Sequence, residues 1–192
     1  HVHETQPLLA QLAGMALCYA GLAELVRRPW PGGIQAGIGA GLTFLAGGLP
    51  GAFITIPLFF AMPLLCENCR GGMVPRALAG GLVVALLLGG SWLALLGLRH
   101  PDALAAWWSD ELAASLPHGG HLLALGKMIQ LLGWFAWPLW PIAGWALWKH
   151  RRALNTPPVA LPIIASLLAM VAVVTTGPLR PASTLPILPP LC

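Results

Sequence analysis

Charge is what this sequence has least of. Only 8% of its 192 residues are Asp, Glu, Lys or Arg, and only six of those are acidic. A soluble domain typically carries about 25% charged residues to cover its surface. With 57% hydrophobic residues and a mean hydropathy of +0.78, the scarcity of charge excludes an ordinary soluble domain and predicts a chain solvated by lipid.

Long apolar stretches predict the fold class, an all-α polytopic transmembrane helical bundle. A bilayer core is about 30 Å thick and takes roughly 20 helical residues to cross, so the chain has room for about six spans. We interpret residues 1–192 as a single transmembrane region, an internal piece of a larger membrane protein. The predicted spans are residues 7–26, 33–46, 50–65, 77–98, 122–148 and 158–177, and the last residues begin a seventh.

The ten Lys and Arg residues divide unevenly between the predicted loops. With the amino end outside, the inner loops hold seven of them and the outer side holds Arg99, Lys127 and Arg180. This distribution follows the positive-inside rule and predicts that orientation. Because the cations do not gather on one water-facing surface, the net charge of +4 does not indicate nucleic-acid binding. Membrane lipids are the expected surroundings.

The sequence GGLPG, residues 47–51, separates the second and third predicted spans and is the only turn chemistry between them. It predicts an outer-face hairpin between two short helices. Irregular backbone at membrane depth needs protein or a water-filled cavity to satisfy it, so we expect this turn to border a cavity open to the outside. In the preceding helix, Gly33, Gly37 and Gly41 form a small-residue stripe that predicts close packing of another helix.

Residues 99–121 form the predicted outer-face loop and hold most of the polar chemistry. Apolar residues from Leu104 to Leu116 fall near helical spacing, which predicts an amphipathic interfacial helix with Asp102 as its cap. Two interpretations stay open. The helix is either a plain connector on the membrane surface or a lid over a cavity that meets lipid-borne substrate.

Several polar residues near the outer face are candidate substrate contacts. Lys127 and Arg180 either snorkel to the interface or hold a phosphate. His118 and His121 with Glu111 do not have the spacing of a metal site, and no Cys or third His accompanies them, so no metal is predicted. The pair Cys66 and Cys69 lies in a predicted inner loop, where reduced thiols are expected.

Four segments resemble a known family. They are ETQPLLAQLAGMALCYAGL at residues 4–22, GIGAGLTFLAGGLPG at 37–51, WFAWPLWPIAGWALWKHRR at 134–152 and LRPASTLPILPP at 179–190. In order and character they resemble the integral-membrane glycosyltransferases of the GT-C fold that use polyprenyl-phosphate sugars, the protein O-mannosyltransferase and aminoarabinose transferase group.

The resemblance implies inverting sugar transfer at the outer, periplasmic face of a bacterial inner membrane, to a lipid or protein acceptor. The donor is a polyprenyl-phosphate sugar, and no cofactor is predicted. A carboxylate serves as general base, expected mainly outside this chain, with Glu4 as a counterpart where relatives carry Asp. Many relatives have Lys-Gly at the position of Gly47 and Gly48. The predicted substrate-binding residues are Lys127, Arg180, Glu111, His121, Gly47 and Gly48.

Two other classes of protein fit the same features. A transporter or flippase of an amphiphilic lipid would explain a helix broken at residues 47–51 without a catalytic carboxylate. A non-catalytic membrane assembly subunit would use the glycine stripes to bind partners.

Overall fold

The structure, a computed structural model, describes residues 5–65, 69–115, 144–145, 148–149 and 161–168. Every regular element in these residues is helical, which confirms the predicted all-α class. Residues 161–168 form a helical segment after the main helices. The four main helices are α1 (Thr5–Glu24), α2 (Pro29–Leu65), α3 (Val74–Arg99) and α4 (Pro101–Ser115).

Helix α2 is folded back on itself at Gly48. This residue has φ 61° and ψ −149° inside an otherwise helical run. A methyl group on Gly51 would lie 2.6 Å from the carbonyl oxygen of Thr43, whereas residues eight apart in a straight helix are about 12 Å apart. We call residues 29–47 the first arm and residues 49–65 the second arm.

Contacts with α3 confirm that the two arms run in opposite directions. A methyl group on Gly81 would overlap the carbonyl oxygen of Gly33 and would lie 3.1 Å from Cε1 of Phe59. In a straight helix Gly33 and Phe59 would be about 39 Å apart. The predicted turn at residues 47–51 is therefore present, although its two helices belong to one broken element.

Helix α1 packs antiparallel to the first arm with almost no side chain between the two backbones. A methyl group on Gly14 would lie 2.8 Å from the backbone nitrogen of Thr43, and one on Gly21 would lie 2.7 Å from the carbonyl oxygen of Gly32. Glycine on both helices makes this approach possible, because any side chain would hold the backbones apart. The amino end of α1 therefore lies beside the turn at Gly48.

Helix α3 packs parallel to the first arm through the glycine stripe identified in the sequence. Methyl groups on Gly33 and Gly37 would overlap the carbonyl oxygens of Ala77 and Gly81, and one on Gly41 would lie 2.9 Å from Cβ of Leu88. The predicted packing role of the stripe is confirmed. Since α3 runs parallel to the first arm, its carboxyl end reaches the same end of the bundle as Gly48.

The buried core lies where these helices meet and includes Met15, Leu22, Leu58 and Met62, all fully buried. Leu161 and Ala165 of the later helical segment belong to the same cluster. Two buried hydroxyls next to the turn are satisfied within their own helix. Thr43 donates to the Gly39 carbonyl at 2.8 Å, and Thr55 donates to the Gly51 carbonyl at 3.1 Å.

Two helices of the described residues have the length and hydropathy needed to cross a membrane, Pro29–Leu64 and Val74–Arg99. Length and composition alone carry this indication of membrane association. A shorter apolar stretch, Leu8–Glu24, covers most of the first predicted span. The predicted count of six spans is not supported. The second and third predicted spans are the two arms of the broken helix α2, and most of the fifth and sixth lies outside the described residues.

The end of the bundle away from Gly48 carries arginines. Arg70 donates through Nε to the carbonyl of Pro63 at 3.1 Å and through its terminal nitrogen to the carbonyl of Leu64. These bonds satisfy carbonyls that a helix end leaves without partners, and the cation suits the negative end of the helix dipole. Cys69, next to Arg70, is buried, whereas Cys66 lies outside the described residues.

Candidate functional site

The break at Gly48 creates an unusual polar site at the first turn of the second arm. The first backbone N–H groups of a helix have no partner within the helix. Leu49 supplies the first N–H of this arm, and Pro50, which follows it, has none. The side chain of Glu111, on α4, accepts a hydrogen bond from the Leu49 N–H at 2.6 Å through Oε1. A carboxylate from a distant helix thus caps the second arm, where negative charge also suits the helix dipole.

Glycine at positions 47 and 48 allows two polar side chains to approach the backbone. A methyl group on Gly48 would overlap Oε1 of Glu111, and its φ and ψ also lie near a region that essentially only glycine adopts. A methyl group on Gly47 would lie 2.6 Å from Nε2 of Gln11. The turn is therefore bordered by a carboxylate on one side and a carboxamide on the other.

The connection between α3 and α4 explains how Glu111 reaches the turn. His100 ends α3 with φ −142° and ψ 72°, and its N–H still donates to the Leu96 carbonyl at 2.8 Å. Pro101 begins α4, a position that proline favours because its missing N–H would be unpaired there. The chain changes direction at this joint, so α4 runs back toward the turn. Asp102, predicted as the cap, lies instead within the first turn of α4.

Aromatic rings hold the middle of α4 against the other helices. The Trp107 ring packs edge to face against Phe44 of the first arm, with centroids 6.3 Å apart, and against Trp92 of α3 at 5.5 Å. Trp108 is tilted against Trp107 at 5.8 Å and is exposed. Such pairs stabilise by about 0.5–1.5 kcal/mol beyond their burial. Trp107 is thus a packing residue, while Trp108 is exposed.

Charge at this end of the bundle is mostly negative within the described residues. Helix α4 carries Asp102, Asp110 and Glu111, which are three of the six acidic residues of the chain, and Arg99 stands just before it. With Glu111 already bonded to Leu49, a second anion at the same N–H would meet a like charge. Cations from elsewhere are needed before a phosphate could bind near this turn.

The structure brings three predicted substrate-binding residues together and does not describe the others. Gly47, Gly48 and Glu111 meet at the turn, although they are separated by more than sixty positions in the sequence. The cavity expected beside the turn stays a prediction. The remaining predicted residues, Lys127, His121, Arg180 and Glu4, lie outside the described residues.

Sequence reasoning missed two residues of the site, Gln11 and Leu49. Gln11 had a signal, because a polar side chain inside a long apolar segment calls for a specific role. Leu49 had none, because it contributes a backbone N–H that any residue other than proline would supply. Across the part of the chain that the structure describes, no cluster of three His, Cys, Asp or Glu residues could hold a metal.

No protein-family model, curated protein or solved structure matches this chain. The resemblance to the GT-C glycosyltransferases therefore stays a prediction from the sequence.

Proposed function

We propose that this chain is the membrane-embedded region of a lipid-linked-sugar-dependent glycosyltransferase. It would act at the outer face of a bacterial inner membrane, in a bundle of about six spans with the amino end outside and α4 on the outer surface. The donor would be a polyprenyl-phosphate sugar, and the acceptor a lipid or a protein. The resemblance of the four sequence segments motivates this choice of reaction.

The observation that supports the proposal most is the carboxylate of Glu111 at the Gly48 turn. Its Oε1 is held by the Leu49 N–H, and within the described residues no hydrogen bond is made by Oε2. A carboxylate held in place by one oxygen suits a general base, which must be within hydrogen-bond reach of the proton it accepts. We therefore propose Glu111 for this role beside Glu4, which lies outside the described residues.

In the proposed reaction the Glu111 carboxylate and the cations have separate tasks. Glu111 takes the proton of the acceptor hydroxyl while the acceptor oxygen bonds to the anomeric carbon of the sugar. The bond between that carbon and the phosphate oxygen breaks, and the electron pair leaves with the polyprenyl phosphate. Lys127 and Arg180 stabilise the charge that develops on this leaving group. Because α4 is acidic, the departing phosphate needs such cations on its other side.

A lipid transporter is the second candidate, and the broken helix favours it. Transporters bind substrate at discontinuous helices, where the N-terminus of a half-helix faces an anionic group. In this chain that N-terminus already bonds to Glu111. A transporter would have to displace Glu111 from Leu49 before an anionic head group could bind there.

The test uses the full-length protein in membranes with a radiolabelled pool of polyprenyl-phosphate sugars. We expect label transfer in the wild type, a loss of about 100-fold or more in kcat for Glu111→Gln, and a loss for Lys127→Ala and Arg180→Ala. Asp110→Asn is the matched control, because Asp110 is next to Glu111 in the sequence and is exposed. Labelled lipid that changes leaflet without transfer would favour the transporter. Absence of both activities would contradict both candidates.

A further inference from the structure

We infer that α4 is a hinged lid whose closed position is held by the Glu111–Leu49 hydrogen bond, whatever reaction the site carries out. The inference rests on how α4 is attached at its beginning, how it is held near its end, and what it covers.

A single residue, His100, joins α4 to α3, and the hydrogen bonds on both sides of it can persist while α4 moves. His100 is the only residue between the two helices, and its φ of −142° and ψ of 72° are not helical. Hydrogen bonds are kept on both sides of it, from the His100 N–H to Leu96 and from the Leu104 N–H to His100 at 3.1 Å. Rotation about His100 would therefore move α4 without unfolding either helix, as hinges at element ends do.

The contacts that α4 makes with α2 differ in kind from those among the other helices. These contacts are made by side chains, the Glu111 carboxylate on the Leu49 N–H and the Trp107 ring on Phe44, and the same ring also packs on Trp92 of α3. Most residues of α4 are exposed. Few buried contacts and exposed surface characterise elements of low local stability, from which lids are drawn.

The closed lid covers a backbone donor at the start of the second arm. Leu49 lies in the first turn of the second arm, and its N–H donates to Oε1 of Glu111 at 2.6 Å. Opening would expose the Leu49 N–H and the glycine turn to water or to a bound acceptor group. The lid and the exposed turn thus form one two-state element, in which Glu111 favours the closed state.

The movement can be measured in the full chain in lipid nanodiscs by the distance between two spin labels. Labels attached at Leu42→Cys on the first arm and Ala106→Cys on α4 use exposed positions; the four native cysteines are replaced by alanine. We expect Glu111→Ala to shift or broaden the distance distribution toward longer separations. Asp110→Ala, the control on the adjacent residue, should leave it unchanged.

Amide exchange supplies a second readout that separates opening from unfolding. Glu111→Ala should speed exchange at Leu49 about fivefold, the effect of losing a typical helix cap, while the amides of Gly37 and Gly41 stay protected. If those amides also lose protection, the Glu111→Gln variant is measured in place of Glu111→Ala. Its carboxamide keeps an acceptor oxygen, so a population of long distances between wild type and Glu111→Ala is expected. An unchanged distance in both Glu111 variants, or an equal change in Asp110→Ala, would overturn the lid.

Discussion

Helix α2 makes two very different kinds of contact. Its first arm meets α1 and α3 backbone to backbone, with Gly14, Gly21, Gly37 and Gly81 at the points of closest approach. Its turn meets α4 through side chains, above all Glu111 on the Leu49 N–H. Close packing of two backbones leaves no room for adjustment, whereas a single side-chain bond can open and close. The difference separates a rigid support from a part that can move.

The strongest test of the rigid part is Gly37→Ala. Its methyl group would overlap the backbone of Gly81, which cannot move aside as a side chain could. We expect a loss of about 3 kcal/mol in the free energy of unfolding, at the upper end for an overpacked core. Gly90→Ala on α3 is the control, because a methyl group there meets nothing within 4 Å. Thermal unfolding in detergent measures both, and equal losses would contradict backbone contact at Gly37.

The next largest effect is expected at Gly48, the residue of the turn that Glu111 contacts. Gly48→Ala would force alanine into a conformation that is nearly exclusive to glycine and would displace Glu111. We expect it to destabilise by about 2–3 kcal/mol. Gly72→Ala has a similar positive φ of 68° but nothing within 4 Å, so about 1 kcal/mol is expected. Chemical denaturation compares the two, and the difference combines the added backbone strain at Gly48 with the displacement of Glu111.

Removing the carboxylate should have a smaller effect on stability than changing the glycine beneath it. Glu111→Ala is expected to cost about 1 kcal/mol, as loss of a helix cap does. Glu111→Gln should cost less, because it retains an acceptor oxygen for the Leu49 N–H. The same denaturation assay checks the order Ala, Gln, wild type. If Asp110→Ala were as damaging as Glu111→Ala, the effect would come from the net charge of α4.

The smallest effect is expected at the opposite end of the second arm. Arg70 bonds to the carbonyls of Pro63 and Leu64 on an exposed surface. Arg70→Gln should destabilise by about 0.5 kcal/mol, the usual range for a cation at a helix end in water. Arg76→Gln is the control, since Arg76 is exposed and makes no hydrogen bond or ion pair among the described residues. A larger effect than at Glu111 would reverse the comparison between the two ends.

Composition and local chemistry were enough to predict several features of the fold. Scarcity of charge and long apolar runs predicted helices suited to a membrane, because lipid leaves no other partner for the backbone. The stripe of Gly33, Gly37 and Gly41 predicted a close helix contact, and GGLPG predicted the turn, because only glycine permits that approach and that backbone conformation. The number of spans was harder to predict, since the length of an apolar stretch does not show whether a turn divides it into two helices.

Which acidic side chain meets the turn depends on how the helices pack in three dimensions. Asp110 and Glu111 are neighbours in the sequence with the same charge, yet Glu111 bonds to Leu49, 62 positions away, while Asp110 faces outward. The outcome depends on the length of α3, the change of direction at His100 and the rotation of α4 about its own axis. Successive residues of a helix point about 100° apart, so one position decides between a cap and an exposed charge.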